Sequence, residues 1–110
     1  MSRNVAVLLL LFAAVLEVGG DALIRVALHR HGTLARLIAF LLGTLVLFAY
    51  GYTVNAPAWD FGRLLGLYVV FFFVIAQVMS WVLFKQPPSR AVLMGGSLIV
   101  SGGFLIAFLQ

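Results

Sequence analysis

The stretch LLGLYVVFFFVIAQVMSWVLF, residues 64–84, decides the fold class, because it contains no Asp, Glu, Lys, Arg or His. About 20 consecutive apolar residues in an α-helix are enough to span the hydrocarbon core of a bilayer. The rest of the chain has the same character. Of its 110 residues, 65% are hydrophobic and 9% are charged, against about 25% charged in a soluble domain. This composition excludes a soluble globular domain and a disordered chain.

Three more apolar runs accompany this stretch. The predicted spans cover residues 5–28, 34–54, 64–84 and 91–109, separated by polar segments at 29–33, 55–60 and 85–90. Two prolines in the last of these segments, Pro87 and Pro88, cannot continue a helix smoothly because they lack backbone donors. The sequence therefore predicts an all-α membrane protein, with a single domain of four transmembrane helices over residues 1–110.

The basic residues divide unevenly between the two sides of the membrane. The side with both termini and the second loop holds two of them, Arg3 and Arg63. The side with the first and third loops holds five: Arg25, Arg30, Arg36, Lys85 and Arg90. Because cytoplasmic loops carry the excess of Lys and Arg, we expect the first and third loops in the cytoplasm. Both termini are then expected outside, in a multi-pass protein of the cell (inner) membrane.

The first span carries the ionisable residues of the hydrocarbon region. With residues 5–26 as the span, Glu17 lies about 2 Å from its midplane at 1.5 Å per residue. Asp21 follows one helical turn later on the same face, and Arg25 one turn after Asp21. An ionisable group at this depth costs at least a few kcal/mol unless it is protonated, paired or facing a cavity. A carboxyl that favours its neutral form suits an exchange of a proton for a cation.

Both carboxyls also have structural interpretations. Glu17 as a protonated packing residue, hydrogen-bonded to a neighbouring helix, is the alternative to a transport role, and the functional interpretation is favoured. Asp21 is weighed the other way, because an ion pair with Arg25 explains it.

The fourth span contains two glycine pairs seven residues apart, Gly95-Gly96 and Gly102-Gly103. That spacing places both pairs on one helix face, and small residues let helices approach closely in lipid. We therefore predict a dimer interface there, since four helices alone are too few to enclose a polar substrate cavity. Packing against neighbouring helices of the same chain is the alternative.

Several function classes find no support in the residues. The chain has no cysteine, which removes disulfides and thiolate metal sites. It has no cluster of metal ligands and no nucleophile–base pair, so we expect no enzyme activity, no metal and no cofactor. No basic tract points to nucleic acid. His29 and His31, in one loop, are interpreted as headgroup contacts.

Three segments carry a family resemblance: LEVGGDALIR at residues 16–25, WVLFKQ at residues 81–86, and the heptad from Gly95 to Gly102. In this order and spacing they resemble the small multidrug resistance transporters of the drug/metabolite superfamily. Gly62-Arg63 followed by Tyr68 is similar to its YnfA-like branch.

The resemblance implies a proton-coupled exporter of small organic cations that works as a dimer, with Glu17 binding proton and substrate in turn. It places Tyr68 near the carboxyl and Tyr50 as a second wall of the cavity, where cation–π contacts give the rings a use. Arg63, at a helix end, is read first as a structural charge and second as an anion or release site at the outer mouth.

The chain also departs from the family pattern. Leu65 stands where multidrug members carry a tyrosine, Gly20 stands where guanidinium exporters carry a tryptophan, and Asp21 has no regular counterpart. A lipid-linked or metabolite flippase and a non-transporting membrane subunit remain alternatives. The fixed charge bias is compatible with a parallel homodimer or with a heterodimer of oppositely oriented homologues.

Overall fold

The computed structural model describes residues 2–109, which form four α-helices and no strand. The helices are α1 (Arg3–His29), α2 (Thr33–Val54), α3 (Phe61–Phe84) and α4 (Arg90–Phe108). Each is long and apolar enough to cross a membrane, so the predicted all-α fold of four spanning helices is confirmed. The outermost residues of the predicted domain, Met1 and Gln110, lie outside the described part.

The helix ends follow from local chemistry. The hydroxyls of Ser2 and Ser89 accept hydrogen bonds of 3.2 Å from the first-turn amides of α1 and α4, which satisfies a backbone donor that the helix itself cannot. At the end of α3, Lys85 adopts a left-handed conformation with φ 54°, and the Gln86 amide donates to the Ser80 carbonyl at 3.1 Å. This left-handed cap closes the helix before the prolines.

The chain divides into two compact units, each an antiparallel helix pair. We call residues 2–56 (α1 and α2) the first hairpin and residues 57–109 (α3 and α4) the second hairpin. Each is described by itself, and the single domain over residues 1–110 stays a prediction.

In the first hairpin, α1 and α2 meet at two glycines. A Cβ on Gly20 would lie 2.7 Å from Leu47 side-chain atoms, and a Cβ on Gly43 would lie 2.8 Å from Ile24 and 3.3 Å from the Gly20 carbonyl oxygen. A Cβ at either position would require these neighbours to shift, so glycine favours the close approach. The connection is short because Gly32 takes φ 129°, a backbone conformation that L side chains rarely adopt.

The second hairpin uses the same device. A Cβ on Gly103 would collide with the Val70 side chain, and a Cβ on Gly66 would lie 2.7 Å from Ile106. Gly96 faces the Phe73 ring. Glycines on both helices therefore set the packing distance between α3 and α4.

The chain surface is that of a membrane protein. Among residues 2–109 no polar or charged residue is buried, whereas large apolar side chains such as Phe48 are widely exposed. Hydroxyls in the helices are satisfied locally: Thr44, Ser97 and Ser101 donate to carbonyls one turn earlier at 2.7–3.0 Å. The exposed apolar surface suits contact with lipid.

Candidate functional site

Glu17 lies at the centre of α1. The middle residue of the helix is Leu16, so Glu17 is displaced from the midpoint by one residue, about 1.5 Å along the axis. Its side chain is half-buried, whereas that of Asp21, one turn later, is exposed. The carboxyl predicted to exchange protons is therefore the more enclosed of the two.

Tyr50 lies at the level of Glu17 on the facing helix. Gly20 of α1 is opposite Leu47 of α2. The two helices run antiparallel. Glu17 lies three residues before Gly20, and Tyr50 lies three residues after Leu47, so the two residues are at the same level. Tyr50 is half-buried and interacts electrostatically with both Glu17 and Asp21. The structure thus brings three predicted site residues of the first hairpin together.

Two residues that hold this arrangement were not predicted as part of the site. Gly20 is part of the motif LEVGGDALIR and of its departure from the guanidinium exporters, and Gly43 belongs to no predicted motif. They set the crossing of α1 and α2 one turn from Glu17. A tryptophan at position 20 would require Leu47 to move, because even a Cβ would come within 3.3 Å of the Leu47 backbone nitrogen. Glycine within a long apolar run was the available signal.

Tyr68 belongs to the second hairpin, on α3, and is 4% exposed. Its ring is tilted against that of Phe72, with centroids 6.3 Å apart. Its placement beside the carboxyl of Glu17 stays a prediction.

Arg63 is engaged within the second hairpin. One terminal nitrogen of its guanidinium donates a long hydrogen bond of 3.5 Å to the Ala107 carbonyl, in the last turn of α4. The guanidinium also lies over the Trp59 ring, 5.4 Å from the centroid. A cation at a helix C-terminus and over an aromatic face is favourable on both counts. Its Nε is buried without a hydrogen-bond partner.

The four glycines predicted at a dimer interface divide between two faces of α4. Gly96 and Gly103 pack on α3 within the hairpin, whereas no atom lies within 4 Å of a Cβ built on Gly95 or Gly102. The second residue of each pair therefore serves intramolecular packing, and the first leaves a surface open. A dimer interface on that surface stays a prediction.

Near the middle of the first hairpin lie the two carboxyls of Glu17 and Asp21 and the phenol of Tyr50. Carboxylates attract cations, and an aromatic ring adds a cation–π contact. Within residues 2–109 no group of three or more His, Asp or Glu side chains is arranged to hold a metal ion.

Four apolar helices with a carboxyl at the centre of the first define a small multi-pass α-helical membrane protein. The chain belongs to the UPF0060 family of membrane proteins. It is 30% identical over 106 residues to a UPF0060 membrane protein of Herpetosiphon aurantiacus, and the match covers 94% of this chain and 93% of the relative. This relationship supports the YnfA-like branch of the resemblance. Neither a protein-family model nor a solved structure matches the chain.

Proposed function

We propose that the chain is a proton-coupled exporter of small organic cations of the small multidrug resistance type, and not an enzyme. Glu17 binds a proton and a cationic substrate in turn, and Tyr50 contacts the substrate from the facing helix. Tyr68 and Asp21 complete the binding site. The protein is placed in the inner membrane with both termini outside, as the distribution of basic residues favours.

One observation carries this proposal: a half-buried carboxyl at the centre of α1 lies level with a half-buried tyrosine of α2. Ionisable residues at this depth are expensive, and they usually mark ion or substrate paths. The tyrosine ring gives an organic cation a second contact besides the charge.

We further propose that the working unit is a homodimer formed through the open face of α4. Gly95 and Gly102 lie on this face with no neighbour against them, and small residues of this kind permit close helix approach in lipid. Gly96 and Gly103 contribute by holding α4 against α3. A heterodimer with an oppositely oriented homologue would use the same face.

The test is proton release from the purified, detergent-solubilised protein when an organic cation is added. Quaternary ammonium and guanidinium compounds are added to the wild-type chain, to Glu17→Gln and to the matched variant Asp21→Asn. We expect release from the wild type, weaker release from Asp21→Asn because the binding site loses one carboxyl, and none from Glu17→Gln, because only the central carboxyl exchanges its proton.

Two results would contradict the proposal. Unchanged release from Glu17→Gln would remove this residue as the carrier. No release from the wild type with any of the compounds would overturn the exporter, and would favour a flippase or a non-transporting subunit.

A further inference from the structure

The connection between α1 and α2 holds the largest cluster of basic side chains in the sequence, counting histidines. Within the segment 29–36 lie two arginines and two histidines, and no acid: His29, Arg30, His31 and Arg36. All four side chains are exposed. We call these four residues the basic rim. The first turn of α2 also contains no acidic residue, so no local carboxylate neutralises the rim.

The rim has a fixed shape. Arg36 Nε donates a hydrogen bond of 3.1 Å to the Ala27 carbonyl oxygen, which holds its guanidinium over the last turn of α1. The chain turns at Gly32, whose positive φ leaves a connection of only three residues between the helices. Within residues 2–109, the side chains of His29, Arg30 and His31 make no hydrogen bond or ion pair. Their donors are therefore available to a ligand at the exposed turn.

The position of the basic rim determines which part of the bilayer it contacts. It lies at the end of two helices that are long and apolar enough to span a membrane, so it lies at headgroup depth. Leu28 and Leu34 flank it with exposed side chains, 58% and 70% respectively. A ligand that combines phosphate oxygens with a hydrocarbon chain can contact the arginines through its phosphate and the leucines through its chain. Guanidinium groups bind phosphate oxygens through paired N–H donors.

We infer that the basic rim is a binding site for the headgroup of an anionic phospholipid. Arg30 and Arg36 contact the phosphate, the histidines border it, and Leu28 and Leu34 contact the first acyl methylenes. The inference is independent of the transport mechanism and of which membrane face the loop occupies, because it rests only on the first hairpin.

The contrast with the other charged loop supplies the control. Lys85 and Arg90 flank the connection between α3 and α4, but that segment carries two prolines and no histidine. Arg90 begins α4, and Lys85 forms the left-handed cap of α3. This loop therefore carries two basic side chains, whereas the rim carries four.

The experiment is native mass spectrometry of the full chain released from mixed micelles with equal amounts of phosphatidylglycerol and phosphatidylcholine. The measured quantity is the ratio of the two singly lipid-bound species. We expect the wild type to retain phosphatidylglycerol preferentially. Arg30→Gln should lower the ratio about fivefold, the effect of removing one basic residue near an anionic surface. Lys85→Gln should leave it unchanged, and Arg30→Lys should retain part of the preference.

Arg30 is exposed in the turn, so its variants are expected to fold, and helical circular dichroism verifies this. Equal retention of both lipids by the wild type would overturn the inference. An equal loss in Lys85→Gln and Arg30→Gln would also overturn it, since general charge would then explain the preference. Displacement of phosphatidylglycerol by a large excess of inorganic phosphate would identify a free-anion site instead of a lipid site.

Discussion

The two hairpins share a way of packing and differ in what lies beside the packing site. In each, glycines on facing helices let the backbones approach. In the first hairpin, Glu17 precedes the crossing glycine of α1 by one turn, and Tyr50 faces it. In the second, the residues at the crossing are apolar, its helices contain no carboxyl, and Arg63 donates a hydrogen bond near the end of α4. Close helix packing alone does not make a site, and its polar neighbours decide whether it can bind a cation.

The adjacent glycines make this comparison testable, because each pair contains its own control. Gly20, Gly96 and Gly103 face a partner helix, whereas Gly19, Gly95 and Gly102 have no atom within 4 Å of an added Cβ. A substitution at the first residue of a pair adds the same side chain without the same collision. Differences within a pair therefore report packing and not glycine content.

The largest effect is expected for Gly20→Leu. The new side chain would overlap Leu47 and force the helices of the first hairpin apart. We expect the free energy of unfolding to fall by about 3 kcal/mol, the upper end of typical overpacking costs. Gly19→Leu should change it by less than about 0.5 kcal/mol, as for surface substitutions. Titration with sodium dodecyl sulfate, followed by helical circular dichroism, measures both.

Gly20→Leu should also abolish cation-induced proton release, because it separates Glu17 from Tyr50. Gly103→Leu overlaps Val70 in the second hairpin and should lower stability comparably. Equal stability of Gly20→Leu and Gly19→Leu would contradict the crossing described for α1 and α2.

Features that depend on one helix alone can be predicted from the sequence, whereas features that depend on how two helices pack cannot. The four helices are predictable because hydropathy and length are local properties, and serines cap the starts of α1 and α4. Which glycine of a pair faces the partner depends on how each helix is rotated about its axis. The four glycines of α4 were predicted on one face, and a one-residue step of 100° is enough to divide them.

The site shows the same limit. Glu17 is predictable from its depth in an apolar run, since a charge there is costly wherever the helix packs. Tyr50 was expected only through the resemblance, because pairing across the hairpin depends on the register that Gly20 and Gly43 set. The contact of Arg63 with Ala107 joins residues 44 positions apart, and no local pattern indicates it.

An intermediate effect is expected on the open face of α4. Leucine at both Gly95 and Gly102 should weaken self-association about tenfold, equivalent to about 1.4 kcal/mol, because bulky residues keep the backbones of two copies apart. The hairpin itself should remain intact, since neither position has a neighbour. Energy transfer between labelled copies in vesicles measures association. Undiminished association of the double variant would exclude this face as the dimer interface.

The smallest effect is expected at Arg63, and it separates a structural charge from a functional one. Replacing Arg63 with Gln removes the hydrogen bond to Ala107 and the contact with Trp59. These contacts predict a loss of about 1 kcal/mol in the free energy of unfolding. Arg63→Lys should retain part of this, because it keeps the charge at the end of α4 but not the planar group over the ring. Fluorescence is a selective measurement, since both tryptophans, Trp59 and Trp81, lie in the second hairpin. If the free energy of unfolding is unchanged while cation-induced proton release is lost, Arg63 acts in transport at the outer mouth. The second hairpin would then contribute a functional charge.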